Sequence, residues 1–274
     1  MKNLSAFLLV LLSPAFAFAQ AKVNAEEIIQ KINNKESVRY ENVEIVGDLD
    51  FLSVDEVTKN QKDSDSDQDA YDYHIRPSVS FTNCVFSDGV IAYFYNEDDK
   101  SVHNAIFYED ATFVNCEFQE ESAFKYVKFH QASDFSGSVF QEEANFKYTK
   151  FDAQAGFAQA VFRGEGNFKY AKFPEGTDFT QARFEEIANF KYVNFPEGIS
   201  FQGATFDDDA DFKYAKFQDG ANFSNAVFDD FANFKYAKFS EPLNMQGTAF
   251  EGSQDFKYTK VGSQDFTTYL LNNR

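Results

Sequence analysis

From Phe113 to Val261 the chain repeats a single apolar beat. Phenylalanine stands at 113, 118, 124, 129, 135, 140, 146, 151, 157 and 162, and the gaps go on alternating between five and six residues. The rule defines 28 positions between 113 and 261; Phe fills 26 of them, Met245 and Val261 the other two. A helix repeats its apolar positions about every 3.6 residues and a half-buried strand about every two, so neither ordinary element produces this beat. A longer period of 22 lies over it: Phe-Lys-Tyr returns at 124–126, 146–148, 168–170, 190–192, 212–214, 234–236 and 256–258. Periods of this length mark solenoids. The pattern predicts a turn of 22 residues with four sides, identical positions stacking in columns about 4.8 Å apart as neighbouring strands do. Two residues before each Phe the side chain is small or β-branched, as at Ala144, Thr149, Ala155, Ala160, Gly166, Ala171, Thr177 and Ala182. A narrow tube cannot take two large residues per side, so each Phe alternates with a small neighbour. Burial of each Phe contributes about 1.5–3 kcal/mol, opposed by chain entropy of similar total size.

Several units read Ala-Asn/Asp-Phe: Ala144-Asn145-Phe146, Ala188-Asn189-Phe190, Ala210-Asp211-Phe212, Ala221-Asn222-Phe223 and Ala232-Asn233-Phe234. In these the chain resembles the pentapeptide-repeat family, whose unit is Ala-Asp/Asn-Leu/Phe-x-x. The resemblance is strong over 104–261 and weak over 38–103. It implies a right-handed quadrilateral parallel β-helix, all-β, with the central Phe and the residue two before it pointing inward. One extra residue in every second unit departs from the family's strict pattern and bears on the corners.

The flanks read differently. Lys2, the apolar run Leu4–Leu12 and Ala17-Phe18-Ala19 before Gln20 have the form of a secretory signal peptide, so residues 1–19 are expected to be removed and the protein exported, to the periplasm or medium of a bacterium. The apolar run is shorter than the roughly 20 residues of a membrane span. Residues 20–37 form the expected N-terminal cap, in which Asn24 and Glu27 resemble a capping box and Ile28, Ile29 and Ile32 give 25–33 one apolar helical side. Irregular first turns follow over 38–103, interrupted near 55–76 and 95–101 by expected exposed loops. The regular β-helix runs over 104–261, and 262–274 forms the C-terminal cap, with Phe266, Tyr269, Leu270 and Leu271 on its apolar side.

Charge changes the picture on one side of the rod. The formal net charge is -19, with 36 Phe, 14 Tyr and no Trp; nucleic acid as a whole should be repelled. Yet 13 of the 25 basic residues fall in two columns. Lys125, Lys147, Lys169, Lys191, Lys213, Lys235 and Lys257 form one; Lys128, Lys150, Lys172, Lys216, Lys238 and Lys260 form the other, broken at Asn194. Between them run Tyr126, Tyr148, Tyr170, Tyr192, Tyr214, Tyr236 and Tyr258. Stacked ammonium groups repel by about 0.9 kcal/mol in water. Acidic corners on both sides, among them Glu142, Glu143, Asp207, Asp208, Glu175 and Glu197, offer an ion-pair lattice that offsets the repulsion. The alternative is a ligand face on which Lys meets anionic groups and Tyr stacks on sugars. The side opposite, from Ser136-Gly137 to Gln246-Gly247, is nearly uncharged and reads as a flat polar surface or a docking surface.

Other constellations are weaker. Asp63, Asp65, Asp67 and Asp69 alternate like the start of an EF-hand loop, but Gln68 stands where such a loop needs Gly and His74 where it needs Glu, so a solvated acidic loop is expected and no cofactor or metal. His74, His103 and His130 sit in no nucleophile or metal motif, and no catalytic residue is expected. Other β-helix folds host polysaccharide lyases, but with long irregular loops. Cys84 and Cys116 occupy the same local pattern, Phe-x-Asn-Cys-x-Phe, and should stack on successive turns. Parallel neighbours point their Cβ atoms the same way, which strains a bridge, so two free buried thiols are expected, with a disulfide as the alternative. The function this supports is a non-catalytic exported scaffold presenting flat faces to envelope polysaccharide, to another protein or to itself. The alternatives are binding of anionic glycans on the Lys/Tyr side, and acidic DNA mimicry of the gyrase-inhibitor kind. The lysine columns and the signal segment argue against mimicry.

Overall fold

The computed structural model describes residues 21–60 and 69–272. The signal-like segment 1–19 and Asp63, Asp65 and Asp67 lie outside the described residues. Within them the chain winds as a four-sided stack of short parallel strands. One side carries ten strands, from Ala21–Asn24 to Ala249–Phe250, and another carries nine, from Leu49–Asp50 to Gln254–Asp255. The register is the one expected from the sequence: Phe118, Phe140, Phe162, Phe184, Phe206, Phe228 and Phe250 pair in succession, 22 residues apart. The remaining two sides are thinned to single bridges at Lys172 and Asp178. Proline explains part of this. In neighbouring turns the N–H of His130, Asp152, Gln218 or Ser240 donates to the Phe carbonyl one turn earlier, at 2.8–2.9 Å. Pro174 and Pro196 occupy the equivalent position and have no N–H to give.

The Asn/Asp of the repeat has a local task. Its side chain accepts the backbone N–H two residues on and so starts the corner, as in Lys213 N to Asp211 Oδ1 (3.0 Å), Lys257 N to Asp255 Oδ1 (2.8 Å) and Ser224 N to Asn222 Oδ1 (3.0 Å). Inside, 24 of the 26 periodic phenylalanines are buried; Phe250 and Phe256, in the last turn, are half-buried. Each ring stacks on its copies above and below and meets rings of adjacent sides edge-on. Phe190 and Phe212 lie parallel at 5.0 Å, while Phe190 and Phe201 cross at 85° and 5.3 Å. Both geometries suit the ring quadrupole. Several small slots that carry a hydroxyl donate it to the Phe carbonyl of the preceding turn, as Thr149 Oγ1 does to Phe124 O at 2.6 Å and Thr259 Oγ1 to Phe234 O at 2.6 Å; Thr177 Oγ1 instead donates to Pro174 O at 2.9 Å.

The ends are closed unequally. Helix α1 (Ala25–Asn33) lays Ala25, Ile28, Ile29 and Ile32 over the N-terminal opening. Its cap differs from the expected box: Asn24 Oδ1 accepts from Glu26 N at 2.8 Å, not from Glu27. At the other end Lys260–Val261 folds back on Gln264–Asp265. Helix α2 (Phe266–Asn272) then sets Phe266 on Phe256 at 4.3 Å. The two insertions are hairpins rather than plain loops. Val57–Asn60 pairs antiparallel with Ala70–Ile75, and Tyr93–Asn96 with Ser101–Phe107. The second strands of the two then pair in parallel, Ala70 with Val102 through Ile75 with Phe107. The alternation of Tyr71, Tyr73 and Ile75 with polar residues is a strand pattern that the acidic tip of the insertion masks. No helix among the described residues is long and apolar enough to cross a membrane.

Candidate functional site

The Phe-Lys-Tyr units form a corner of the rod, not a flat face. Val127 N donates to Phe124 O at 3.2 Å, and Tyr126 between them has φ +60°. A closed four-residue turn with positive φ at its third position is of type II. Lys125 and Tyr126 are its two tip residues, and only the column beginning at Lys128 lies on a strand. The seven tyrosines hold φ between 60° and 64°. That is a left-handed conformation costing a bulky residue about 1–2 kcal/mol. The column itself gives part of this back. Successive Tyr rings stack at 4.7–4.9 Å with planes within 18° of parallel, and such pairs contribute about 0.5–1.5 kcal/mol each. Because both faces of each internal ring meet a neighbouring Tyr, a sugar cannot stack flat on them as expected; ring edges are what the column offers. Tyr93, at the edge of the second hairpin, closes the N-terminal end of the ladder at 5.7 Å from Tyr126. At the C-terminal end Tyr258 is 55 % exposed.

The lysines are not held by the expected ion-pair lattice. Four of the 13 reach a carboxylate: Lys128 to Asp72 (3.8 Å), Lys150 to Asp152 (2.6 Å), Lys191 to Asp211 (2.8 Å) and Lys260 to Asp265 (2.6 Å). The other nine have no carboxylate at ion-pair distance among the described residues. The first column instead leans on the tyrosines. The ammonium groups of Lys147, Lys169, Lys213, Lys235 and Lys257 sit 5.1–5.8 Å from the ring centres of Tyr148, Tyr170, Tyr214, Tyr236 and Tyr258, a cation–π arrangement. Lys125 also donates to Tyr93 Oη at 3.0 Å. Burial pushes the Tyr93 and Tyr126 hydroxyls above their ordinary range. What results is a ridge of ring edges between two files of cations.

The other tight corner has the same backbone and different residues. Ser138 N donates to Phe135 O at 3.2 Å, and the left-handed position holds Asn42, Asn83, Asn115, Gly137, Gln159, Gln181, Gly203, Asn225 and Gly247 in successive copies. It too is a ridge, partly tied by side chains: Gln159 donates to Gln181 at 3.0 Å.

Three further constellations take their places. Ser101 Oγ donates to Asp99 Oδ1 at 2.6 Å, so His103 Nε2, 2.8 Å from Ser101 Oγ, must face that hydroxyl as a donor, and His103 Nδ1 accepts from Tyr73 Oη at 2.9 Å. The carboxylate binds the serine rather than orienting the imidazole, so this is not the geometry that activates a serine. Tyr71 stacks on His103 at 4.8 Å, and the cluster reads as the packing of the two hairpins. Cys84 and Cys116 are neighbours in the stack, buried and unbridged. Their mutual hydrogen bond, then burial, pushes the Cys116 thiol far up. Asp208, Asp209 and Asp230 bring carboxylates within 4.8 Å of one another on an acidic corner; burial, then the neighbouring carboxylates, raise Asp209.

A family model described as pentapeptide repeats (9 copies) matches residues 124–172, 168–216 and 212–260. No curated protein matches the chain. Among solved structures the chain is similar to HetL, a pentapeptide repeat protein involved in heterocyst differentiation regulation from the cyanobacterium Nostoc sp. strain PCC 7120. The identity is 10%, over 88% of this chain and 98% of that one, with a TM-score of 0.31.

Proposed function

This chain belongs to the pentapeptide-repeat family, and from that premise we propose that it is a non-catalytic binding scaffold whose Lys-Tyr-Lys corner takes an extended polyanion. One observation carries the reading: nine lysines along two files have no carboxylate at ion-pair distance among the described residues, in a chain with 44 acidic residues. Charge balance alone would place acids opposite them. A regular polyanion laid along the ridge would meet unpaired cations at every rung but that of Tyr192, rungs lying about 4.8 Å apart, and its binding would weaken with salt. We further read residues 1–19 as an export signal, which puts the scaffold among the anionic polymers of a cell envelope. The test is retention on immobilised heparin at low salt. The wild-type protein, despite its acidic pI, should be retained and released by salt. The triple variant Lys169→Gln, Lys213→Gln, Lys235→Gln should flow through while its denaturation curve is unchanged. Wild-type protein in the flow-through would refute the reading.

A further inference from the structure

The two lysine files do not offer the same charge at every rung. In the turn of Tyr192, Lys191 is tied to Asp211 at 2.8 Å and the second file carries Asn194 in place of lysine. That rung has no unpaired cation on either flank. The next two rungs have one on both: Lys213 and Lys216 beside Tyr214, then Lys235 and Lys238 beside Tyr236. Asn194 stands in register with Lys172 before it and Lys216 after it. Its shorter side chain leaves a groove of about 580 Å³ along the ladder from Tyr170 to Tyr258, with Val193 and Asn194 among its walls and Lys216 and Lys238 along one rim. Gln218 Nε2 donates to Asn194 Oδ1 at 2.9 Å, which leaves the Asn194 amide nitrogen to donate.

We propose that this groove is the seat of an acidic oligosaccharide: two uronate carboxylates held by Lys216 and Lys238, and a neutral sugar ring beside Tyr192 and Asn194. The proposal rests on the polyanion reading above and names its ligand class. The groove's walls are largely ring edges and an aliphatic side chain, so its occupant has an apolar body; a polyphosphate has none. Two cations, Lys216 and Lys238, stand on successive rungs of one rim, so its occupant carries repeated charges along its length; a fatty acid has one charge at one end. Linked sugar rings in a ribbon meet both demands. Their C–H surfaces lie against the tyrosine edges, and carboxylates repeated along the ribbon meet the Lys216 and Lys238 rim. The neutral rung sets where the chain sits, because a carboxylate placed there would meet no unpaired lysine.

Asn194→Lys restores the residue found at this register in six other turns, so it is compatible with the fold. It fills the groove and adds a charge, and the two readings of the corner then predict opposite signs. Isothermal titration of wild type and N194K with an oligogalacturonate carrying a neutral sugar at one end, and with tripolyphosphate, separates them. The groove reading expects the wild type to prefer the oligosaccharide, and N194K to bind it at least tenfold more weakly while binding tripolyphosphate as well or better. If both ligands bind N194K more tightly, or the wild type shows no preference, the groove proposal falls and a polyanion ridge without a seat remains. If neither ligand nor heparin binds the wild type, both readings fall together.

Discussion

Two corners of this rod share one backbone and differ in what they put on it. In the regular turns both are type II turns closed over an inward residue, Phe in all but the copy of Met245, and both hold their third residue at positive φ. At the polar corner that position goes to Asn, Gly or Gln, residues that are small or amide-bearing; glycine and asparagine are the ones that enter the left-handed region most readily. At the other corner it goes to tyrosine seven times, although the same closed turn is made without tyrosine six times elsewhere among the described residues, at Gly137, Gln159, Gln181, Gly203, Asn225 and Gly247. The polar corner therefore reports what the turn requires. The tyrosine corner reports something added to that requirement, and the unpaired lysines beside it point the same way.

The comparison presupposes that the rod is built from the phenylalanine interior and not from its corners. Phe201→Ala should therefore cost about 3–5 kcal/mol in a denaturant titration, far more than any change at either turn tip. A similar loss for Tyr192→Ala would mean that the corners hold the fold.

A smaller effect separates the corners from each other. Gly203 has φ +64°, and a Cβ there would meet nothing closer than Gln181 Cγ at 3.6 Å, so Gly203→Ala should cost only the backbone term, about 1–2 kcal/mol. Tyr192→Gly should relieve the same term while losing two ring stacks of about 0.5–1.5 kcal/mol each, leaving stability nearly level. Tyr192→Ala, which loses the stacks without relief, should fall below Tyr192→Gly. The reverse order would show that the tyrosine turn is not strained.

The acidic corners give the smallest effect. Burial first, then Glu165 and Glu121, raise the Glu143 carboxyl above its ordinary 4.5. A raised acid contributes its stability fully below the unfolded value and loses it as pH climbs through the folded one. The rod should therefore gain stability as pH drops toward that range, and Glu143→Gln should be more stable than wild type at neutral pH and less dependent on pH. Identical pH profiles for the two proteins would contradict the assignment.

The interior was legible in the sequence because a 22-residue period leaves no freedom. Once Phe118 is inward, Phe140 and Phe162 must be too; Cys84 and Cys116, 32 residues apart, fall into register because the same Phe-x-Asn-Cys-x-Phe pattern stands on both sides of the second insertion. The corners were less legible. Phe-Lys-Tyr shows which residues repeat but not that Tyr126 is a turn tip; the clue was the alternation of Tyr with Gly and Asn at matched positions of the two corners. The hairpins were hidden because their tips are acidic while their strands alternate only briefly, as at Tyr71 and Tyr73. Tyr93 was missed as the stop of the ladder because the second insertion breaks its spacing to Tyr126. The absence of an ion-pair lattice could not be read at all: acids lie near the lysines in sequence, but reach depends on which way each corner turns.

On the proposed polyanion reading the tyrosine file serves a ligand and not the turn. Its most direct test replaces Tyr170, Tyr192 and Tyr214 together by Asn, the residue that Asn225 supplies at the other corner, and measures affinity for a fluorescent heparin oligosaccharide by anisotropy beside the denaturation curve. The account predicts stability within about 2 kcal/mol of wild type and affinity reduced at least tenfold; a variant that binds as the wild type does, with its fold intact, would contradict it.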